Sequence, residues 1–307
     1  LDASDNVVVE ADEFDRSFHH LTPYMSIITS MDPDHLDIYG TEEAYHESFE
    51  KYAGLVQTAL LIKRGLKLQN SKAKVYTYAV GENADFYADN VRVENGELRF
   101  DFHTPKHSVA DIQLGVPAWV NIENGVAAMA VAWLMGVTDE ELREGMHTFR
   151  GVYRRFNIHL NTPQITYIDD YAHHPQELKA SIESVRKLYP SRYVIGVFQP
   201  HLFSRTRDFA DDFAQVLSQL DEVALLPIYP AREAPLEGVT SEWLMGKIAA
   251  KKALVLPAIL PKYLRERVKS CMAQGKDCVV ITMGAGDIDR QGNEVTRALH
   301  IEHKYKP

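Results

Sequence analysis

The chain has 307 residues, of which 45% are apolar and 25% charged, too long for one ordinary core and right for two domains of about 150 residues each. Its net charge of −10 excludes a broad nucleic-acid face, which needs clustered Lys and Arg, though not a small basic pocket for an anionic substrate. No apolar run approaches the ~18 residues that span a bilayer and no leader pattern opens the chain, so neither nucleic acid nor a membrane is expected as a partner.

The chain starts at Leu1 without an initiator Met and soon reaches the apolar run Val7-Val8-Val9, which predicts a buried strand in a trimmed or partial chain. Residues 25–29 form a second such run; short apolar runs between polar turns suit parallel strands covered on both faces. Residues 41–56 predict a helix, capped by Thr41, with Tyr45, Phe49, Tyr52 and Val56 at helical spacing. Strands are expected at 59–62 and 75–79, and a hairpin over 86–111 around Asn95-Gly96. Helices follow at 124–135, closed by Gly136, and at 139–149. Gly151 marks a domain boundary, giving domains at 1–151 and 152–307.

Beyond it strands at 165–168, 193–198, 222–227 and 277–283 alternate with helices at 175–188, 208–217, 241–249 and 260–273. That order implies a right-handed, doubly wound parallel α/β sheet, with ligands beyond the carboxyl ends of its strands. Cys271 and Cys278, seven apart, have neither disulfide-framework nor metal-ligand spacing and read as reduced thiols of a cytoplasmic protein.

Polar clusters stand at those strand ends. Glu10-Ala-Asp12-Glu13-Phe-Asp15 follows the first run and Asp32-Pro-Asp34-His35-Leu-Asp37 the second. Oxygen ligands with an occasional imidazole suit Mg²⁺ or Mn²⁺; equally, acids at helix starts simply face water. Arg154-Arg155 at the boundary is either solvated or a phosphate clamp. Asp169-Asp170-Tyr171-Ala-His173-His174-Pro175, at a strand-to-helix switch, is better explained as a site, because Pro175 suits a first helical position and sets the two imidazoles at the helix entrance. Gln199-Pro-His201-Leu-Phe-Ser204-Arg205-Thr-Arg207 follows the next strand, which would place it beside that cluster. Gly284-Ala-Gly286-Asp287 lacks the third glycine and the following βαβ unit of a dinucleotide fingerprint, so it reads as a tight turn that could face a ligand. A G-x-x-x-x-G-K-[ST] phosphate loop is absent from the sequence.

In order and spacing these clusters, with Asn121-Ile-Glu-Asn124-Gly between them, resemble the Mur ligase family over nearly the whole chain. The combination around Arg155, Asp170 to Pro175 and Gln199 to Arg205 is most similar to its alanine-adding branch. Phe49 stands where branches adding later amino acids have a modified lysine. The resemblance implies a partial central ATPase-like, phosphate-loop-type domain, then a C-terminal Rossmann-like domain. A nucleotide-sugar-gripping N-terminal domain of the same chain, and the phosphate loop, would precede Leu1, and this stretch alone is expected not to ligate.

The implied chemistry is ATP- and Mg²⁺-dependent (Mn²⁺ being an alternative ion) joining of L-alanine to UDP-N-acetylmuramate through an acyl phosphate, a step of peptidoglycan synthesis. By the same resemblance Glu10 and His35 are metal ligands, Asn121 and Asn124 face adenine, and Arg155 and Asp170 contact phosphate and ribose. Tyr171, His173, His201 and Arg205 line the alanine and acyl-phosphate side as catalytic residues. Three positions depart from the family pattern: Val120 for histidine, Ala118 for glycine and Leu202 for arginine. The competing readings are a Mur-type ligase attaching a recycled peptide, a metal-dependent phosphohydrolase, and a non-catalytic piece.

Overall fold

The computed structural model describes residues 5–33, 36–94 and 97–300, except for the side chains of residues 36 and 37. Two compact units emerge. The first comprises Leu1–Arg92, Arg99–Gln113 and Ile122–His147; the second comprises Val93–Leu98, Leu114–Asn121 and Thr148–Pro307.

The first unit begins with a 3-10 stretch, Phe14–His20, and continues with β1 (Met25–Ile28), α1 (Leu36–Tyr39), α2 (Glu42–Ala53), β2 (Ala59–Lys63) and β3 (Lys74–Val80). Then come β4 (Phe86–Glu94), β5 (Glu97–His103), β6 (Ser108–Leu114), α3 (Val120–Leu134) and α4 (Asp139–Thr148). The strands form one sheet in the order β1-β2-β3-β4-β5-β6, with β1 to β4 parallel. Side-chain partners across the later strands fall in one strand as they rise in the other: His103 meets Asp89 and Asn90 meets Asp101. These strands therefore run back and forth; the Asn95-Gly96 turn expected between β4 and β5 lies outside the described residues. Thr41 caps α2 by accepting from Ala44 N at 3.2 Å. That helix buries Tyr45, Phe49, Tyr52 and Ala53 against Phe18, Ile28 and Leu60, the apolar stripe the spacing predicts.

The expected strand at Val7-Val8-Val9 does not form: the three residues are 79%, 99% and 59% exposed and join no strand. An apolar triplet specifies burial only where a neighbouring strand offers backbone partners, and none among the described residues does.

The second unit contains β7 (Asn157–Asn161), β8 (Ile165–Asp170), α5 (Pro175–Leu188), β9 (Tyr193–Phe198), α6 (Phe203–Asp208), α7 (Ala210–Leu217) and β10 (Glu222–Leu225). It ends with α8 (Ser241–Lys247), β11 (Lys251–Leu254), α9 (Leu260–Ala273), β12 (Cys278–Met283) and α10 (Gly292–Leu299). The sheet order is β11-β10-β9-β12-β8-β7, parallel except for the β7–β8 pair. β8, β9, β10 and β12 are buried along almost their whole length, as two-sided helix cover requires.

Three expectations are corrected here. The helix expected at 208–217 begins two residues later, as α7, and a separate short helix, α6, precedes it across Phe209. β7 and β11 carry polar or lysine-rich sequences and escape the apolar-run signal. And β9 is not beside β8: the last strand, β12, inserts between them, which separates the two strand exits expected to be neighbours. No helix among the described residues is long and apolar enough to cross a membrane.

Candidate active site

The separation of β8 from β9 is bridged at their carboxyl ends, because the exit of β12 carries so little bulk. Gly284 has φ +141, and a Cβ there would stand 2.7 Å from the Gln199 carbonyl oxygen. A Cβ on Gly286 would meet Gln199 Oε1 at 2.4 Å. These glycines let the loop after β9 lie directly on the β12 turn. Gln199 then latches that turn, donating Nε2–H to Asp287 Oδ1 at 2.8 Å while Oε1 accepts from Ile288 N at 2.9 Å. The Gly284–Asp287 segment is thus a tight turn, as its sequence predicts, packed closely on Gln199.

The Arg154-Arg155 pair divides into two roles. Arg154 is buried, its Nε donating to Asp169 Oδ2 at 3.1 Å and its Nη2 to the Gly284 carbonyl oxygen. Asp169 also accepts from Thr282 at 2.7 Å, so this arginine ties the exits of β8 and β12 together. Arg155 is exposed, its guanidinium lying 5.4 Å from the Tyr171 ring centre. The backbone is left-handed at Arg154 (φ 60) and Phe156 (φ 51), and the Arg154 guanidinium lies 5.1 Å from the same Tyr171 ring centre.

The His173-His174 pair divides likewise. His174 caps α5: its ring accepts from Gln176 N, and Glu177 Oε2 accepts from His173 N at 2.8 Å and His174 N at 3.1 Å. This is a capping box with an imidazole in the usual Ser/Thr place. His173 Nδ1 donates to the Tyr171 carbonyl oxygen at 3.0 Å. A carbonyl can only accept, so in the neutral ring Nε2 is the bare nitrogen. The ring packs edge-on against Tyr171 at 5.2 Å and against His201 at 6.0 Å.

Burial lowers the His173 pKa from its ordinary value, opposed by Glu177 and aided by the Arg205 and Arg155 charges. Burial lowers that of His201 too, with His173 and Arg205 acting the same way against Glu233. Both rings are therefore neutral near pH 7. His201 Nδ1 is buried without a hydrogen-bond partner.

Six residues expected from sequence thus lie in the second unit: Arg155 before β7, Asp170 at the end of β8, Tyr171 and His173 on the loop after it, His201 after β9 and Arg205 on α6. Within that group Asp170 is buried, its carboxylate accepting from Ser181 Oγ and Ala172 N. Burial raises its pKa, against the Ser181 hydrogen bond. Asn121, in the first turn of α3 and the last residue of this unit's Leu114–Asn121 segment, turns its side chain to the Val116 carbonyl oxygen at 3.3 Å. Asn124 belongs to the first unit and is exposed. Glu10 is exposed there as well. His35 lies outside the described residues, and among those described no group of three or more His, Cys, Asp or Glu side chains could hold a metal ion.

Phe49 is core, edge-on to Phe18 at 5.2 Å. A cleft of about 470 Å³ beside Thr162, Tyr189 and Arg192 opens at the amino ends of β8 and β9. Its arginine is taken up by Thr166 Oγ1 and the Thr162 and Pro163 carbonyls. Sequence reasoning missed Tyr229 and Glu233, on the loop after β10. The rule that strand exits gather ligand loops pointed to that exit as well.

Residues 2–132 match the Mur ligase middle domain and residues 154–286 the glutamate ligase domain of Mur ligases. A UDP-N-acetylmuramate–L-alanine ligase from Parabacteroides distasonis is 56% identical over 304 residues, covering 97% of this chain and 64% of that protein. The chain spans less than two thirds of the length of the curated relatives it matches. The fold is shared with the crystal structure of a UDP-N-acetylmuramate-alanine ligase from Thermotoga maritima, with TM-score 0.75 and 23% identity over 94% of this chain and 62% of that one. It is also shared with a MurF ligase from Thermotoga maritima in complex with ADP, with TM-score 0.65 and 17% identity over 92% of this chain and 64% of that one. With its motifs, its two sheets and both domain matches in agreement, the chain belongs to the Mur ligase family and carries that family's middle and C-terminal domains.

Proposed function

We propose that this sequence is the ATP-binding and amino-acid-binding part of a ligase that joins L-alanine to UDP-N-acetylmuramate, with the domains divided at residues 151 and 152. The observation that carries the reading is the meeting of two neutral imidazoles, His173 and His201, beside the guanidiniums of Arg155 and Arg205. No ion pair holds either guanidinium among the described residues. An amino acid brings a carboxylate, which needs a cation, and an ammonium group, which must lose a proton before it can attack.

In the proposed reaction the lactyl carboxylate takes the γ-phosphoryl group of ATP, giving an acyl phosphate and ADP. The alanine nitrogen attacks the acyl carbon, the carbon–oxygen bond to phosphate breaks, and inorganic phosphate leaves. Arg205 would bind the alanine carboxylate, and Arg155 would neutralise phosphate charge. His173 Nε2 would accept the ammonium proton, its Nδ1–H being held by the Tyr171 carbonyl. Asp170, buried and already bonded, would hold the loop that carries Tyr171 and His173 as well as facing the ribose. Asn121 and Asn124 are proposed for the adenine side.

A magnesium ion carried mostly by phosphate oxygens and water needs only one or two protein ligands. Glu10, exposed, can supply one, with His35 the second proposed. The ion would neutralise charge as the phosphoryl group moves.

The test is Arg205→Ala in the ligase. The apparent KM for L-alanine is expected to rise roughly ten- to a hundredfold, as for loss of a charged hydrogen bond, with the KM for ATP nearly unchanged. Equal loss for ATP with alanine unmoved would reassign Arg205 to the phosphates. Phosphate release that ignores alanine would instead support the phosphohydrolase reading.

A further inference from the structure

The loop after β10 reaches back onto residues 200–205 at three points. Tyr229 N donates to the Pro200 carbonyl at 2.8 Å, and the Tyr229 carbonyl accepts from Leu202 N at 2.9 Å. The Tyr229 ring lies nearly parallel to the His201 imidazole, 16° between planes and 5.7 Å between centres. The Glu233 carboxylate accepts from Ser204 N at 3.0 Å and from Ser204 Oγ.

These contacts hold something that would otherwise relax. Leu202 has φ 68 and ψ 138, a backbone that a branched side chain rarely adopts, and as the residue before α6 it gives that helix no side-chain cap. Glu233 supplies the missing cap from another loop, at the first turn of the short helix that carries Arg205. Tyr229 stacks on the His201 imidazole, while His173 meets the same ring at 68°. Tyr229 Cβ would stand 2.7 Å from a Cβ on Gly286, so the β12 turn packs closely on the base of this side chain.

We propose that Tyr229 and Glu233 are positioning residues of the amino-acid end of the site. Glu233 fixes α6 so that Arg205 points at the substrate carboxylate, and Tyr229 fixes the plane of His201. The identity of the substrate rests on the ligase reading; the positioning itself does not. The charged and titratable groups facing His201 are His173 from the loop after β8, Arg205 on α6 and Glu233 with Tyr229 after β10.

Two measurements test this. In the chain itself, the His201 imidazole is followed by NMR, assigned with His201→Gln. Tyr229→Leu should remove the ring-current displacement of the His201 Cε1 proton, and Tyr229→Phe should keep it. Glu233→Gln should lower the His201 titration midpoint, because a carboxylate facing the ring is gone. An unmoved imidazole in both Tyr229→Leu and Glu233→Gln overturns the proposal.

In the ligase, Glu233→Gln and Ser204→Ala should each raise the KM for L-alanine, by roughly tenfold, while the KM for ATP stays within about twofold. An equal rise for both substrates, or a fall in kcat alone, overturns it. If the ligase shows no alanine dependence at all, the functional reading fails while the imidazole measurements still decide the positioning.

Discussion

The acid-rich loops of the first unit and the imidazole–guanidinium cluster of the second hold their charged and titratable groups in two different ways. Glu10, Asp12 and Asp32 stand in water, held by little more than local bonds such as Asp12 to Phe14 N and Asp32 to Ser30. In the second unit the candidate side chains stand next to buried or bonded residues: Arg154 beside Arg155, His174 and Glu177 beside His173, Gln199 and Glu233 around His201 and Arg205. Carboxylates proposed for a hydrated divalent ion can stay solvated. Imidazoles that must remain neutral, and guanidiniums that must stay unpaired, need a scaffold that pays their desolvation.

The comparison predicts that stability and function separate differently in the two regions. The largest effect is expected at Arg154→Met, which leaves Asp169 buried without its cation; breaking such a pair costs about 3–5 kcal/mol, read from urea unfolding. The neighbouring Arg155→Met should stay within about 0.5 kcal/mol of the parent, as exposed sites do. Equal losses at the two positions would erase the division of labour between them.

Next comes Gly286→Ala, whose methyl would enter the space of Gln199 Oε1 and Tyr229 Cβ. Overpacking of this kind costs roughly 1–3 kcal/mol, and calorimetry should show it as a lowered Tm. In the first unit Thr41→Ala removes the α2 cap, worth about 1 kcal/mol, and circular dichroism during unfolding would detect it.

A pH dependence follows from the two imidazoles. Their folded pKa values lie below the ordinary 6.5, so below 6.5 the unfolded chain binds protons that the folded chain does not. Their effect is therefore absent above about 6.5, and stability falls as pH drops below it toward the folded pKa values. Urea midpoints at successive pH values should show a shallower acid decline in His173→Gln than in the parent. The smallest effect on stability is expected at Glu10→Gln, within about 0.5 kcal/mol, although the ligase should lose turnover. A large drop in Tm there would make Glu10 structural.

Much of this molecule was legible in its sequence. The apolar runs at 25–29, 59–62, 193–198 and 277–283 are strands because buried parallel strands must be apolar on both faces. The cap at Thr41 and the stripe of α2 are local as well. So too are the motif residues around Tyr171 and His201, which mark strand exits of a doubly wound sheet. What only the tertiary structure decided is which member of each pair is free. Arg154 and Arg155, or His173 and His174, are alike in type and adjacent in sequence. Their roles differ because one of each meets a fixed partner on another element: Asp169 and Gly284 hold Arg154, and the first turn of α5 holds His174. The insertion of β12 between β8 and β9 was equally hidden. Strand order follows from where an apolar edge is left to be covered, and no local pattern records the choice. The exposed Val7–Val9 triplet states the same limit from the other side, since apolar composition becomes a strand only when a neighbour's backbone is there to receive it.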